Sequence, residues 1–454
     1  MATERDNRLT RREILASGLG MAAALGLSGC WSDGARRAYP DRIPVRFWHM
    51  WTAEWQAVVE RIADRFNRSQ ARYEVVPLSV PASGADAKYL LAITGGDPPD
   101  VMAQWNPVLP TWAENGALTS LDELMTPAER AWTERETYPV FRRAGIFRGR
   151  RYAMPLGPNI SACFYRPDHF RKAGLDPDRF PEDLETLVQW ADRLHQFDRS
   201  GQLKRIGFLP QYFTQFAPLF GGGFYDERTG ALTLNTPPNR RALTFLADYR
   251  RKLGFGNVIR FTSGLAGDTS GGVDWPFLSG AYSITQDGQW RIEQLEKFAP
   301  HLEYRTAPLP PPAGGRRLAG WATSDMLLVP RGSRQPQGAW EFIKFWSGLE
   351  RPERAAEFYL WGGWLPIADA IAYAPVYQSY IQKHPALRTF LELAASPNLV
   401  APPPVPFQAY LVDHISRAED LAVRGTRPPE QALVGLEADI AKERARRKEL
   451  GYAD

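Results

Sequence analysis

Fifteen tryptophans in 454 residues is a high count, and aromatic side chains make up 12% of the chain. Many must be core, but several stand beside glycine or polar residues in expected loops, where a large flat ring is costly to expose without a use. His49 and Trp51 follow the first expected strand, and Gln104 and Trp105 end another. Trp290 lies three residues after Asp287 in TQDGQW, Asn159 follows Pro158, and Tyr212 sits in LPQYFTQF. Trp321 (AGWATSD), Trp364 (GGWLP) and Tyr410 (PFQAYLVDH) complete the set. Flat rings among amides and carboxylates suit the holding of a polar ligand. By contrast Trp55, Trp190, Trp340 and Trp346 fall on helical apolar faces and are expected in the core.

The residues needed for bond-making are harder to find. There is no CxxC, no HExxH and no dinucleotide fingerprint, and the six histidines are scattered. Gly221-Gly222-Gly223 lacks a Walker lysine and reads as a loop that must bend. Cys30 and Cys163 are the two cysteines, too few for a disulfide framework or a thiolate metal site, so no metal and no cofactor is expected. A glycoside hydrolase stays open as a remote alternative, because its two carboxylic acids, about 5–9.5 Å apart, cannot be recognised from spacing.

The elements that must position these side chains follow from periodicity. Val45 and Phe47 alternate with Arg46 and Trp48, which predicts a strand; Trp55, Val58, Val59, Ile62 and Phe66 follow at helical spacing. YEVVPLSV reads as a second strand, Ala85 to Thr94 as a helix closed by Gly95-Gly96, and DPPDVMAQW as a turn into a third strand. This β-α-β-α-β order predicts a mixed or parallel sheet covered by helices, with ligand near the strand ends. Further on, Leu184, Leu187, Val188, Ala191 and Leu194 predict a helix opened by Pro181-Glu182-Asp183. IGFLP reads as a strand and FGGGFYDERTGALTLN as a glycine-rich loop with a hairpin, and helices are expected around Ala339 to Trp346 and Ala432 to Ile440.

The first thirty residues are of another kind. LTRREILASGLGMAAALGLSGC sets two arginines before an apolar run, Ile14 to Leu27, that is short of the roughly twenty residues a spanning helix needs. Its start resembles a twin-arginine export signal, and Leu27-Ser28-Gly29-Cys30 resembles a bacterial lipobox, which would remove residues 1–29 and leave Cys30 as a lipidated N-terminus. A general secretory signal is the alternative for the arginines. Residues 30–40 read as a tether. Without 1–29, which hold four basic and three acidic residues, the formal charge is +3, so nothing calls for nucleic acid. Contact with a membrane is expected through the lipid alone, on the extracytoplasmic face of the cell membrane or in a periplasm.

Five segments in order, GGDPPDVMAQW, YAMPLGPNISACFYRPDHFRKAGLD, FLSGAYSITQDGQW, PLPPPAGG and SDMLLVPRGSRQPQGAWEFIKFW, resemble the extracellular solute-binding proteins of ABC importers, family 1, the maltose-binding-protein-like group. The resemblance implies an α/β fold of two lobes, each a mixed sheet flanked by helices, with a hinged cleft between them. Lobe one would be 41–152 plus 309–345 and lobe two 153–308 plus 346–454. It implies a monomer that performs no chemistry, binds a carbohydrate and presents it to membrane permease subunits.

Sugars offer apolar C–H faces and a rim of hydroxyls, so their sites need ring platforms and planar polar groups. The resemblance puts Trp290 at a stacking position with Asp287 beside it, Gln104 or Trp105 at a contact from lobe one, Asn159 near the hinge and Tyr212 at a contact from lobe two. His49 and Trp51 would line the floor, although a lone histidine is more often structural. The number of tryptophans favours an oligosaccharide. The same fold binding glycerol phosphate or another small polar solute is the nearer alternative; it would call for arginines or a helix N-terminus in the cleft.

Overall fold

The computed structural model describes residues 37–80, 84–104, 108–265 and 272–452. The leader, Cys30 and most of the tether lie outside them, as do Trp105 and Asn106. Two compact units are distinguished, Met1–Ile43 and Pro44–Asp454. In the first, the Arg42 amide closes a turn onto the Tyr39 carbonyl at 3.1 Å. Everything below concerns the second.

Its main sheet has eight strands: β1 (Ile43–His49), β2 (Tyr73–Ser79), β3 (Val101–Gln104), β4 (Ala153–Tyr165), β5 (Ile284–Gly288), β6 (Arg305–Ala307), β7 (Gly320–Leu328) and β8 (Leu399–Val400). The order is β5-β4-β7-β3-β1-β2, with β6 also on β4 and β8 on β7. β1 and β3 are parallel, Phe47 opposite Val101, whereas β7 runs antiparallel to both β3 and β4. β4 holds the two halves together. Its first residues pair with the end of β7, Ala153 opposite Leu328, and its last pair with β5 and β6, Tyr165 opposite Ile284 and Arg305.

The two halves have separate cores. One gathers Tyr89, Met102, Trp112, Phe147 and Leu328 around β3. The other gathers Cys163, Phe170, Leu187, Phe216, Leu243, Leu411 and Leu436 around the far end of β4. This is the two-lobed, mixed α/β architecture expected from the sequence.

The helices around the sheet include α1 (Ala53–Ser69), α2 (Ala85–Thr94), α3 (Leu184–Leu194), α4 (Phe213–Leu219), α5 (Pro237–Leu253), α6 (Trp290–Phe298), α7 (Pro336–Ser347), α8 (Pro352–Gly362), α9 (Gln408–Val423) and α10 (Pro429–Glu449). The stripe of α1 buries Val59, Ile62, Ala63 and Phe66, and Phe66 meets Phe342 and Phe345 of α7 edge-on. Asp183 starts α3 by accepting the Thr186 amide at 2.7 Å, and Thr236 caps α5 through the Asn239 amide, each worth about 1 kcal/mol. Gly96 takes the left-handed conformation (φ +77°) after α2. Trp340 and Trp346 are core as expected, while Trp55 is partly exposed and donates its Nε1–H to the Gly362 carbonyl at 3.1 Å.

One expected strand does not form. IGFLP makes a single bridge, Ile206 to Tyr282, although the Gly207 carbonyl still accepts the Ile284 amide at 2.8 Å. An added Cβ at Gly207 would fall 2.2 Å from the Ala191 carbonyl, so the chain is pressed onto α3, and Pro210 has no N–H to offer a ladder.

Candidate ligand-binding site

Where β4 and β7 pair between the two cores, several aromatic and polar side chains gather on these strands and on the segments next to them. The first is Trp51, just after β1. The Trp51 ring is 5.4 Å from Trp364 and 5.6 Å from Trp346, and His49 lies beneath it at 5.9 Å. His49 has no exposed surface; burial pushes its imidazole down to about 4, so it is neutral and supports Trp51 from below.

Trp364 is fixed by the turn that ends α8. Gly363 is left-handed (φ +64°), the Trp364 amide donates to the Tyr359 carbonyl at 2.9 Å, and the Trp364 carbonyl accepts the Tyr377 hydroxyl at 3.1 Å. An added Cβ at Gly157 on β4 would lie 3.8 Å from the Trp364 ring and 3.3 Å from Oδ2 of Asp325 on β7. Asp325 is 6% exposed, and its Oδ1 accepts the Asn159 Nδ2–H at 3.2 Å. The register between β4 and β7 slips at this residue: Asp325 faces Gly157 but Met326 faces Pro155. Burial raises the Asp325 carboxyl to about 7, opposed by the Asn159 amide alone.

Beyond Asn159 comes Gln289, which is 2% exposed and donates Nε2–H to the Pro158 carbonyl at 3.0 Å. Its Oε1 has no hydrogen-bond partner among the described residues. Trp290 opens α6, half-buried, with its ring laid across Gly288; an added Cβ there would stand 2.0 Å from Cζ3. Only glycine leaves that ring its place.

Asp287 ends β5 and is already engaged. Its Oδ2 accepts Arg291 Nε–H at 2.9 Å and its Oδ1 the Gly288 amide at 2.8 Å, while burial pushes its carboxyl up. Burial around the Tyr212 hydroxyl raises it, although the residue as a whole is half exposed, and the charge of Asp287 adds to this. Tyr212 is 51% exposed and holds a left-handed backbone (φ +70°), a conformation costing about 1–3 kcal/mol outside glycine. The amides of Tyr212 and Phe213 donate to the two oxygens of Glu419 on α9, at 2.8 and 2.7 Å, which holds that conformation at the start of α4.

The remaining candidates fall to the side. Gln104 is buried opposite Met326 and bonded to Asp86, one register position from Asp325. Trp321 is pinned by Gln215, which bonds both its amide and its carbonyl at 3.0 Å, and its ring packs edge-on against Phe224 in the core. Tyr410 is exposed on α9, stacked on His414 at 3.8 Å. Asp325, Gln289 and Glu419 were not singled out from the sequence. A carboxylate inside the apolar strand GWATSDMLL was the one available signal, since a buried charge is costly without purpose.

Rings and hydrogen-bonding groups brought together in this way suit the holding of a polar, partly flat molecule. The profile of the bacterial extracellular solute-binding proteins matches residues 51–350, and the chain belongs to that family. Among curated relatives, the sn-glycerol-3-phosphate-binding periplasmic protein UgpB of Yersinia enterocolitica is 23% identical over 383 residues, covering 80% of this chain and 82% of that one. UgpB of Escherichia coli K12 is 23% identical over 406 residues, covering 85% and 86%. Among solved structures, CpMnBP1 with mannotriose bound is similar at a TM-score of 0.76 and 24% identity, over 87% of this chain and 99% of that one. The sugar-binding protein MalE of Xanthomonas citri is similar at 0.70 and 21%, over 90% and 100%. These likenesses agree with the fold described above. No helix among the described residues is long and apolar enough to cross a membrane.

Proposed function

We propose that this protein is a lipid-anchored, extracytoplasmic receptor that captures a sugar, an oligosaccharide in preference to a single ring, and delivers it to the permease of an ABC importer. The observation that carries this is the series Trp51, Trp364, Asp325, Asn159, Gln289, Trp290, Asp287 and Tyr212, in which a pair of rings at one end and Trp290 and Tyr212 at the other flank hydrogen-bonding groups. A phosphate ester would need cations turned to the ligand. Here Arg291 is engaged by Asp287, and among the described residues no cation acts on Asp325; Arg250, which donates to the Pro210 carbonyl at 3.3 Å and keeps a buried Nε without a partner among the described residues, is the cation such a ligand would have to reach. The sugar-binding neighbours support the same choice, and the UgpB relatives keep glycerol phosphate as the reading to exclude.

Ligand would shift an open–closed equilibrium by binding the closed form better, and the closed form would engage the permease. We draw one lobe as 41–152 with 309–345 and the other as 153–308 with 346–454. Cys30 carries the lipid in this reading, after a leader of twin-arginine type, and residues 31–40 tether the body. A thermal-shift screen of the chain from residue 31 against mono- and oligosaccharides and glycerol phosphates tests the ligand class. Ligand at about a hundred times its Kd should stabilise by roughly 2.7 kcal/mol. A response to phosphate esters and to no sugar would reject the assignment; breakdown of a bound oligosaccharide on long incubation would point to a hydrolase.

A further inference from the structure

Asp325 is a carboxyl with one oxygen in use. Oδ1 takes the Asn159 amide, and Oδ2 accepts no hydrogen bond among the described residues. Gly157 puts no side chain between Oδ2 and the Trp364 ring: an added Cβ would stand 3.3 Å from the one and 3.8 Å from the other. The groups around Oδ2 are few. β4 offers Asn159 and Gly157, β3 offers Gln104 across from Met326, and α8 offers Tyr359, whose buried hydroxyl has no partner among the described residues and holds its proton more tightly because of burial, with Tyr377 and Asp325 adding to it. No lysine, arginine or histidine charge contributes to the state of Asp325. An ion buried in this way is costly unless something donates to it.

We propose that Asp325 is a ligand-contact residue that sets specificity: its free oxygen accepts hydrogen bonds from ligand hydroxyls beside the Trp364 ring, so that capture of a neutral sugar expels a proton and an anionic solute is turned away. This rests on the sugar reading above. The direction follows from geometry and burial together. In the free protein the carboxyl keeps its proton up to about 7 because it is dry and has one donor. Sugar hydroxyls favour the ionised form and lower that value. Affinity is therefore full above about pH 7 and is lost as pH falls through the free-site value.

The experiment is titration calorimetry of the mature chain with the tightest-binding sugar from the screen, in two buffers of different ionisation enthalpy and at several pH values, beside Asp325→Asn. Wild type should release between about half a proton and one proton per sugar near pH 6–7, and Kd should weaken towards tenfold per pH unit below about 7. D325N keeps the shape but puts an N–H where Oδ2 stood; it should lose about tenfold or more in affinity near pH 8, with a flat pH profile. Sugar binding by wild type without proton release would overturn the proposal whatever the variant does, and so would a D325N protein with unchanged affinity. Binding of glycerol phosphate and of no sugar would overturn the sugar reading and this inference together, whereas tight, proton-neutral sugar binding overturns this inference alone.

Discussion

The two ends of the proposed cleft are built on opposite principles. At one end Trp51, Trp346 and Trp364 pack ring against ring over a neutral His49, with centroids 5.4–5.8 Å apart. At the other, Tyr212 is held in a strained backbone by Glu419, and Asp287 is clasped by Arg291 and the Gly288 amide. The first end is positioned by dispersion and exclusion of water, which act over area and tolerate no gap. The second is positioned by a few directional bonds, each of which can be removed singly. Asp325 lies between, bordered by Trp364 on one side and Asn159 on the other.

Three substitutions would break or sharpen this contrast. Trp364→Ala removes a buried ring that touches two others and should cost about 3–5 kcal/mol in denaturant unfolding, with loss of ligand binding. If it costs much less, the aromatic end is not a packed unit. Asp325→Asn should do the reverse in the absence of ligand. A carboxyl whose folded value is raised to about 7 holds a proton that the unfolded chain loses at lower pH, so wild-type stability falls as pH rises through that window. The variant lacks this slope; near pH 8 it should be more stable by roughly 2–4 kcal/mol, and near pH 4 it should match wild type. Glu419→Gln should cost about 1–2 kcal/mol, since one of its two acceptors becomes a donor facing an amide, and should weaken ligand through Tyr212 while the aromatic end keeps its unfolding behaviour. Equal damage at both ends would mean that they fold as one.

The helices were legible in the sequence because a buried stripe repeats every three or four residues; α1 and α3 fall where Ile62, Phe66, Leu187 and Ala191 put them. The 13-residue β4 was harder, since Pro155, Gly157 and Pro158 argue against a long strand until the register slip at Asp325 accommodates them. Of the proposed site, the rings of Trp51, Trp290 and Trp364 stand out in the sequence because glycine or a polar residue lies beside each. Gln289 and Glu419 do not: a glutamine before a helix and a glutamate within one are ordinary until the chain places them against Pro158 and Tyr212. Trp321 shows the converse error of expectation, a loop-like setting, AGWATSD, that turns out to be a strand with the ring packed in the core.

Cys163 sits in the middle of β4 with no exposed surface, and burial makes its thiol a weaker acid than usual. With Cys30 acylated, it would be the one thiol left in the chain. Its reaction with an alkylating reagent then clocks the opening of the strand shared by both halves, without any engineered label.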